Sequence, residues 1–364
     1  MKNKNLIFGV MSGTSLDGID VVLINIEKNK IKLIGSSHKP YPKKMSEDLI
    51  LIQLPTHNDL ELSIQLGLLH AKMTSSIING MIKKLNIKAR DVSCIGYHGQ
   101  TIRHQPNNNF SLQIGNAHWL AENTKITVIA DFRNRDIVAG GQGAPLVPGF
   151  HQQVFASPKK NRVIVNIGGI SNLTYLKMNG EMIGFDCGPG NILLDQWIQK
   201  NKNKNYDNQG QWATKGVIIP SLLSSLLKEP FFIKKPPKST GRDLFNLQWL
   251  EEFLTAHESP VDVQRTLLEL SAISISSSIK KHCQKAHEIF LCGGGSKNLF
   301  LKNRLGELTA LKIKDTDLLG IPTQAVEAVA FAWLAKQALN NIPNNSPEIT
   351  GSSGKRVLGV MHPA

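Results

Sequence analysis

Cysteine is scarce in this chain and carries no pairing pattern. Only four occur in 364 residues, at 94, 187, 283 and 292, with no C-x-x-C and no metal-type spacing. That usage argues against a disulfide-stapled secreted scaffold and fits a reducing cytoplasm. Long apolar runs are missing too: nothing approaches the roughly eighteen residues a membrane span requires. The apolar run at 6–11 is shorter than the core of a signal peptide, and Asp17 and Asp20 follow it without a small-residue cleavage site. Aromatic residues make up 6% of the chain and tyrosines number four, which leaves few stacking platforms for nucleic acid. Several motifs are absent as well. The segment Gly351-Ser352-Ser353-Gly354-Lys355-Arg356 is too short for a P-loop, and Gly141-Gln142-Gly143 lacks the third glycine of a dinucleotide turn. There is no G-x-S-x-G elbow and no H-E-x-x-H.

What remains is ordinary globular composition, 41% hydrophobic and 19% charged, at a length that suggests about two domains. Lys plus Arg number 42 against 28 Asp plus Glu, a formal net charge of +14. Such an excess favours anionic partners. The basic residues are spread rather than interleaved with aromatics, so a small anionic ligand explains them better than DNA or RNA.

Short β-branched runs bounded by glycine or serine predict strands at 6–10, 19–24 and 31–35, and helical spacing of apolar residues predicts a helix over 60–85. Further strands are expected at 92–96 and 127–130. Prolines 145, 148 and 158 then interrupt the pattern, and a domain boundary is expected near 150. The opening plan repeats afterwards: strands at 162–167, 173–176 and 183–186, a helix from Asn191, a long helix at 263–280, and a strand at 288–291. The expectation is a duplicated α/β chain with domains 1–150 and 151–364 and a cleft between them.

Three turns of small residues follow predicted strands: Ser12-Gly13-Thr14-Ser15, Gly168-Gly169-Ile170-Ser171-Asn172 and Cys292-Gly293-Gly294-Gly295. Such turns let backbone N–H groups cradle phosphate, or let a flat ring approach the backbone. Taken singly, each is equally well a tight turn that needs glycine's conformational freedom.

These turns carry a resemblance. Met11-Ser12-Gly13-Thr14-Ser15-Leu16-Asp17-Gly18-Ile19-Asp20 resembles the N-terminal signature of the anhydro-N-acetylmuramic acid kinases. The family's further motifs follow in order: His98-Gly99-Gln100-Thr101; Ala130-Asp131-Phe132-Arg133 leading to Gly140-Gly141-Gln142-Gly143; Asn166-Ile167-Gly168-Gly169; Gly184-Phe185-Asp186 with Gly188-Pro189-Gly190-Asn191; Ser239-Thr240-Gly241-Arg242; Cys292-Gly293-Gly294-Gly295; and Glu327-Ala328. The resemblance implies the duplicated actin-like, ribonuclease H-like fold of the actin, Hsp70 and sugar-kinase superfamily, with ATP held in the cleft. It also implies a coupled reaction in peptidoglycan recycling, in which water opens the 1,6-anhydro ring of 1,6-anhydro-N-acetylmuramic acid and ATP phosphorylates O6. A cytoplasmic homodimer acting on this small sugar, with no nucleic-acid or membrane partner, completes the implication. The rival is a non-catalytic or chaperone-like ATPase of the same superfamily.

On that resemblance Asp186 is the expected general base, at a strand end beside a Gly-Pro-Gly turn. Gly13, Thr14, Ser15, Leu16, Asp17, Gly18, Ile19 and Asp20 are expected on the nucleotide phosphates, with Gly168, Gly169 and Asn172 as a second phosphate turn and Gly293, Gly294 and Gly295 beside adenine. Asp17 either helps hold Mg²⁺ or stabilises its turn. His98, Thr101, Asp131, Arg133 and Glu327 are candidates for the sugar, with an arginine fork suited to the lactyl carboxylate. Arg135 is the alternative to Arg133, and a lone histidine such as His98 is more often a satisfied structural residue. Cys187 stands where the family commonly has Thr, Lys297 where it often has Arg or His, and Asp243 where Glu is usual.

Overall fold

A computed structural model describes residues 5–28, 30–54, 59–255 and 257–364. It divides the chain into two compact units, Met1–Val154 with Ala325–Ala364, and Phe155–Gln324. Of the N-terminal segment weighed as a leader, residues 1–4 lie outside the described residues.

The first unit is built on β1 (Leu6–Ser12), β2 (Gly18–Glu27), β3 (Lys30–Pro40), β4 (Val92–Gln105), β5 (Phe110–Ile114) and β6 (Val128–Ala130). The sheet order is β6-β4-β1-β2-β3, with the strand Val360–His362 added beside β6 and β5 paired to β4. β1 runs antiparallel to β2 and parallel to β4. The helix Leu60–Lys84, started by the Asp59 side chain accepting from Leu62 N at 2.8 Å, packs Leu66, Met73, Ile77 and Met81 into the core with Phe8, Val10 and Ile95.

Residues 325–364, which the sequence pattern places in the second domain, return to the first unit instead. The cause lies in two glycines. A Cβ at Gly9 would stand 1.9 Å from the Ala328 carbonyl oxygen, and one at Gly96 2.1 Å from that of Phe331. The alanine-rich helix Val326–Leu339 therefore lies with its backbone directly on β1 and β4, and the strand Val360–His362 closes the sheet edge antiparallel to β6.

The second unit repeats the plan with β7 (Arg162–Ile167), β8 (Ile170–Leu176), β9 (Met182–Pro189), β10 (Glu288–Cys292) and β11 (Ile313–Asp315), in the order β11-β10-β7-β8-β9. Strand directions match those of the first sheet: β7 and β8 are antiparallel, as are β8 and β9, whereas β7–β10 and β10–β11 are parallel. The chain is thus the duplicated α/β structure expected. The helix Pro260–His282 buries Leu267, Leu268, Leu270, Ile275 and Ile279, each contributing roughly 1.5–3 kcal/mol on burial. Among the described residues no helix is long and apolar enough to cross a membrane.

Candidate active site

In the first unit, the turn between β1 and β2 is set by backbone constraints. Leu16 adopts φ 58° and Gly18 φ 156°. A Cβ at Gly18 would come within 2.4 Å of the Lys39 carbonyl oxygen, so only glycine fits there. Gly13 is half-buried and Thr14, Ser15 and Asp17 are exposed, while Leu16 points into the core. Asp17 Oδ1 accepts from Ser15 Oγ at 2.8 Å, and Asp20 pairs with His38 at 2.9 Å. The turn offers small residues, hydroxyls and a solvent-facing carboxylate, a chemistry suited to phosphates.

Behind this turn lies a buried polar network. Ser12 Oγ stands 2.6 Å from His70 Nε2, and His70 Nδ1 2.6 Å from the Tyr97 hydroxyl. Burial holds the His70 pKa at about 3, so its neutral ring donates at one nitrogen and accepts at the other. Gln100, fully buried, donates from Nε2 to the Gly13 carbonyl at 3.1 Å and accepts from the Tyr41 hydroxyl at 3.0 Å. The middle of β4 thereby fixes the end of β1.

The same part of β4 carries His98. Its Nδ1–H donates to the Gly99 carbonyl at 2.7 Å, which leaves Nε2 to accept from Arg133 NH2 at 3.0 Å and Nε at 3.3 Å. Burial and the adjacent Arg133 charge hold the His98 pKa well below the usual histidine range. Arg133 NH1 also donates to the Gly143 carbonyl at 2.7 Å. The Phe331 ring packs 4.7 Å from that of His98, and Glu327 lies one turn earlier on the same helix. His98, Arg133 and the Glu327 helix therefore come together. Asp131 is exposed with φ 56° and accepts from Asn134 Nδ2 at 2.8 Å, Arg135 is exposed, and the Thr101 hydroxyl accepts from Gln113 at 3.2 Å.

Asp136, absent from the sequence-based set, organises this region. It is fully buried and accepts from Gly143 N at 2.9 Å, Thr350 Oγ1 at 2.9 Å and Asn345 Nδ2 at 3.1 Å. A Cβ at Gly141 would stand 2.2 Å from its carboxylate. The P-loop-like segment at 351–356 belongs to this clamp: Ser352 accepts from Asn345 Nδ2 at 2.9 Å.

In the second unit, Asp186 on β9 is 7% exposed and lies opposite Asn172 of β8. Thr240 N donates to Asp186 Oδ2 at 3.0 Å, and Asp186 N donates to the Lys238 carbonyl at 3.2 Å. The Gly168-Gly169 carbonyls accept from Gly190 N, Asn191 N and Ile192 N at 2.9–3.1 Å, so the capacity of that turn for anions rests on its N–H groups. The third glycine turn packs against it. Gly293 has φ 81°, a Cβ there would meet Asn166 Oδ1 at 2.3 Å, and one at Gly295 would meet Ile167 Cγ2 at 2.2 Å. Gly294 is exposed, with only Asn191 Nδ2 near its face, at 3.9 Å.

Cys187, one residue after Asp186, is 1% exposed within the apolar core, and burial pushes its thiol up to about 12. Lys297 and Asp243 are exposed. Among the described residues no group of three or more His, Cys, Asp or Glu side chains could hold a metal ion. The sequence offered a signal for Gln100 and Thr240, which stand inside quoted motifs. It offered none for His70, Tyr97 or Asp136.

The family model described as anhydro-N-acetylmuramic acid kinase matches residues 5–364. The chain is 48% identical over 359 residues to the anhydro-N-acetylmuramic acid kinase of Nitrosospira multiformis, covering 98% of both chains. It is 44% identical to that of Nitrosomonas europaea, covering 98% of this chain and 99% of the relative. Among solved structures, component A of the Acidaminococcus fermentans (R)-2-hydroxyglutaryl-CoA dehydratase matches with a TM-score of 0.50 at 11% identity, over 92% of this chain and 99% of that one. That likeness speaks for the fold alone. With its motifs ordered along one duplicated chain and its relatives matched from end to end, the protein belongs to the anhydro-N-acetylmuramic acid kinase family.

Proposed function

We propose that the protein uses ATP and water to convert 1,6-anhydro-N-acetylmuramic acid into N-acetylmuramic acid 6-phosphate and ADP. The observation that carries this reading is Asp186, a buried carboxylate within β9, rather than at a strand end as the sequence pattern suggests, with one oxygen fixed by the Thr240 N–H, in a chain matching that family throughout. Asp186 takes a proton from water as the water oxygen bonds to C1 of the sugar. The C1–O6 bond breaks, O6 leaves with the electron pair, and that oxyanion attacks the γ-phosphorus of ATP as ADP departs. One carboxylate thus serves both ring opening and phosphoryl transfer.

The turn from Gly13 to Asp20 holds the phosphates through backbone N–H groups and the hydroxyls of Thr14 and Ser15. Gly168, Gly169 and Asn172 supply a second phosphate contact, and the exposed face of Gly294, between Gly293 and Gly295, takes the adenine ring. Asp17, oxygen-bearing and solvent-facing, fits a hydrated Mg²⁺ held chiefly by phosphates. Bound there, Mg²⁺ supplies charge neutralisation on the transferred group. Arg133, rather than the exposed Arg135, meets the lactyl carboxylate, because His98 and Gly143 already orient its guanidinium. Thr101, Asp131 and Glu327 line the sugar hydroxyls. The four cysteines are free and buried, which supports a cytoplasmic setting.

The test is turnover of the anhydro sugar with Mg·ATP in ¹⁸O-water, read by mass spectrometry. The expected product is a 6-phosphate with one heavy oxygen at C1. Asp186→Asn should lower kcat by about 10²–10⁴-fold with ATP binding retained. A phosphorylated product with its anhydro ring intact refutes the coupled reaction, and substantial turnover by Asp186→Asn refutes the base.

A further inference from the structure

Lys238 is buried beside the strand that carries Asp186, and no step above uses it. The residue is 8% exposed. Its Nζ donates to the Phe231 carbonyl at 3.2 Å and stands 4.4 Å from the centre of the Phe231 ring and 5.8 Å from that of Phe185. Removing an ammonium group from water is costly unless other groups compensate. Here the direct contacts are a carbonyl and two ring faces, each modest, with the Asp186 carboxylate acting from nearby. Burial accordingly holds the Lys238 pKa below the usual lysine value.

The backbone around this lysine is irregular between the short helix Pro230–Ile233 and the helix Leu247–Glu251. Two of its groups meet the candidate base. The Lys238 carbonyl accepts from Asp186 N at 3.2 Å, and two residues on, Thr240 N donates to Asp186 Oδ2 at 3.0 Å. Phe185 and Cys187 lie in the apolar core, and the β8–β9 register shifts between Asp186 and Gly188, so that β9 carries one residue more than β8 beside the candidate base. Lys238 inserts its side chain on the core side, against Phe185 and Phe231, while its backbone runs beside Asp186. The far end of this segment is held by the fully buried Phe245, and Lys238 anchors the end that runs beside Asp186.

We propose that Lys238 is a positioning residue for Asp186: its buried ammonium pins residues 238–240 so that the Thr240 N–H stays on Oδ2 and aims the carboxylate. This rests on the reading of Asp186 as the base. The charged or titratable groups around Lys238 are Asp186 and Cys187 on β9, Lys234 in the preceding turn, and Lys281 with His282 at the end of the helix Pro260–His282.

The experiment compares full-length Lys238→Met and Lys238→Gln with the parent protein. It measures kcat against pH with the anhydro sugar at saturating Mg·ATP, nucleotide affinity by calorimetry, and thermal unfolding. Lys238→Met should lose about tenfold or more in kcat while nucleotide affinity holds. Its acidic limb should move to higher pH, because a carboxylate that loses a hydrogen bond and a nearby positive charge ionises less readily. Lys238→Gln keeps a donor for the Phe231 carbonyl and should recover part of both. It also carries the test if the methionine variant does not fold. A folded Lys238→Met with parental kcat and parental acidic limb overturns the assignment. Equal losses in both variants that extend to nucleotide affinity also overturn it, since they describe general destabilisation. Asp186→Asn separates the two readings. If that variant turns over, the base falls and Lys238 with it. If it is inactive while Lys238→Met behaves as the parent, the lysine assignment alone fails.

Discussion

Gly96→Ala tests whether His98, Arg133 and Glu327, the residues proposed for the sugar, are held by direct contact between the helix Val326–Leu339 and the sheet. An added Cβ would lie 2.1 Å from the Phe331 carbonyl oxygen and 2.9 Å from Ala335 Cβ, whereas a carbon and a carbonyl oxygen rest comfortably at about 3.3 Å. Something must retreat by roughly 1 Å. The strand is poorly placed to yield, because Gly96 pairs with Gly9 of β1 on one side and Ile129 of β6 on the other. The helix moves instead, and it takes Phe331 away from the His98 ring and Glu327 with it. Overpacking of this kind costs about 1–3 kcal/mol, which lowers Tm by roughly 2–12 °C for a unit of this size. A displacement near 1 Å can cost up to about 10²-fold in turnover, so kcat/KM for the sugar should fall roughly 10–100-fold. Gly80→Ala is the control: it lies in the exposed interior of the helix Leu60–Lys84, and nothing lies within 4 Å of its Cβ position. That change should stabilise by about 0.5–1 kcal/mol and leave kinetics unaltered. Scanning calorimetry and an ADP-coupled assay on both variants decide the matter. A Gly96→Ala protein with parental Tm and parental kcat/KM would refute the packing argument.

Glu288 accepts from Lys314 at 2.7 Å and from Lys160 and Arg162 at 3.1 Å. Burial raises its pKa, but these three cations outweigh burial and hold it at about 2. A depressed carboxylate contributes stability above its unfolded pKa and loses that contribution as pH falls from about 4.5 through 2. The shift corresponds to about 3 kcal/mol, so Glu288→Gln should lower stability by up to that amount at pH 7 and flatten the loss below pH 4.5. Identical slopes of unfolding free energy against pH in the two proteins would count against it. Cys187 lies in the apolar core, so Cys187→Ser should cost about 1–3 kcal/mol in stability and leave kcat within about twofold. A kcat loss above tenfold in a folded variant would place the side chain at the reaction.

Both sheets were legible because β-branched runs end at glycine turns, and the repeat of that pattern disclosed the duplication. The strands ran further than their apolar stretches. β4 extends from the expected 92–96 to Gln105, since backbone pairing with β5 continues where the side chains turn polar. β5 and the helix Lys43–Gln53 leave no clear signature in the sequence, because their exposed apolar residues, Leu112 and Ile50 among them, blur any periodicity. The return of residues 325–364 was hidden because the evidence for it, the bare backbones of Gly9 and Gly96, acquires meaning only once the helix is laid on the sheet.

The legible and hidden parts of the site differ in physical kind. Motif residues stand in or beside glycine-containing turns and strand segments, where glycine and short polar side chains leave a local mark that a reader of sequence recognises. The residues behind them do not. Ser12 meets His70 across 58 positions, and Asp136 meets Thr350 across 214; such pairings follow no helical or strand period. A buried polar group must nevertheless find partners, since leaving one unsatisfied costs about 1–3 kcal/mol. His70, Asp136 and Lys238 are each more than nine-tenths buried. Each is bonded to backbone or side chains one step removed from a candidate ligand-facing residue: Ser12 before the phosphate turn, Gly143 beside Arg133, and the segment bearing Thr240 beside Asp186. These three buried groups each hold a segment proposed to face ligand, and substitution there should separate binding from turnover.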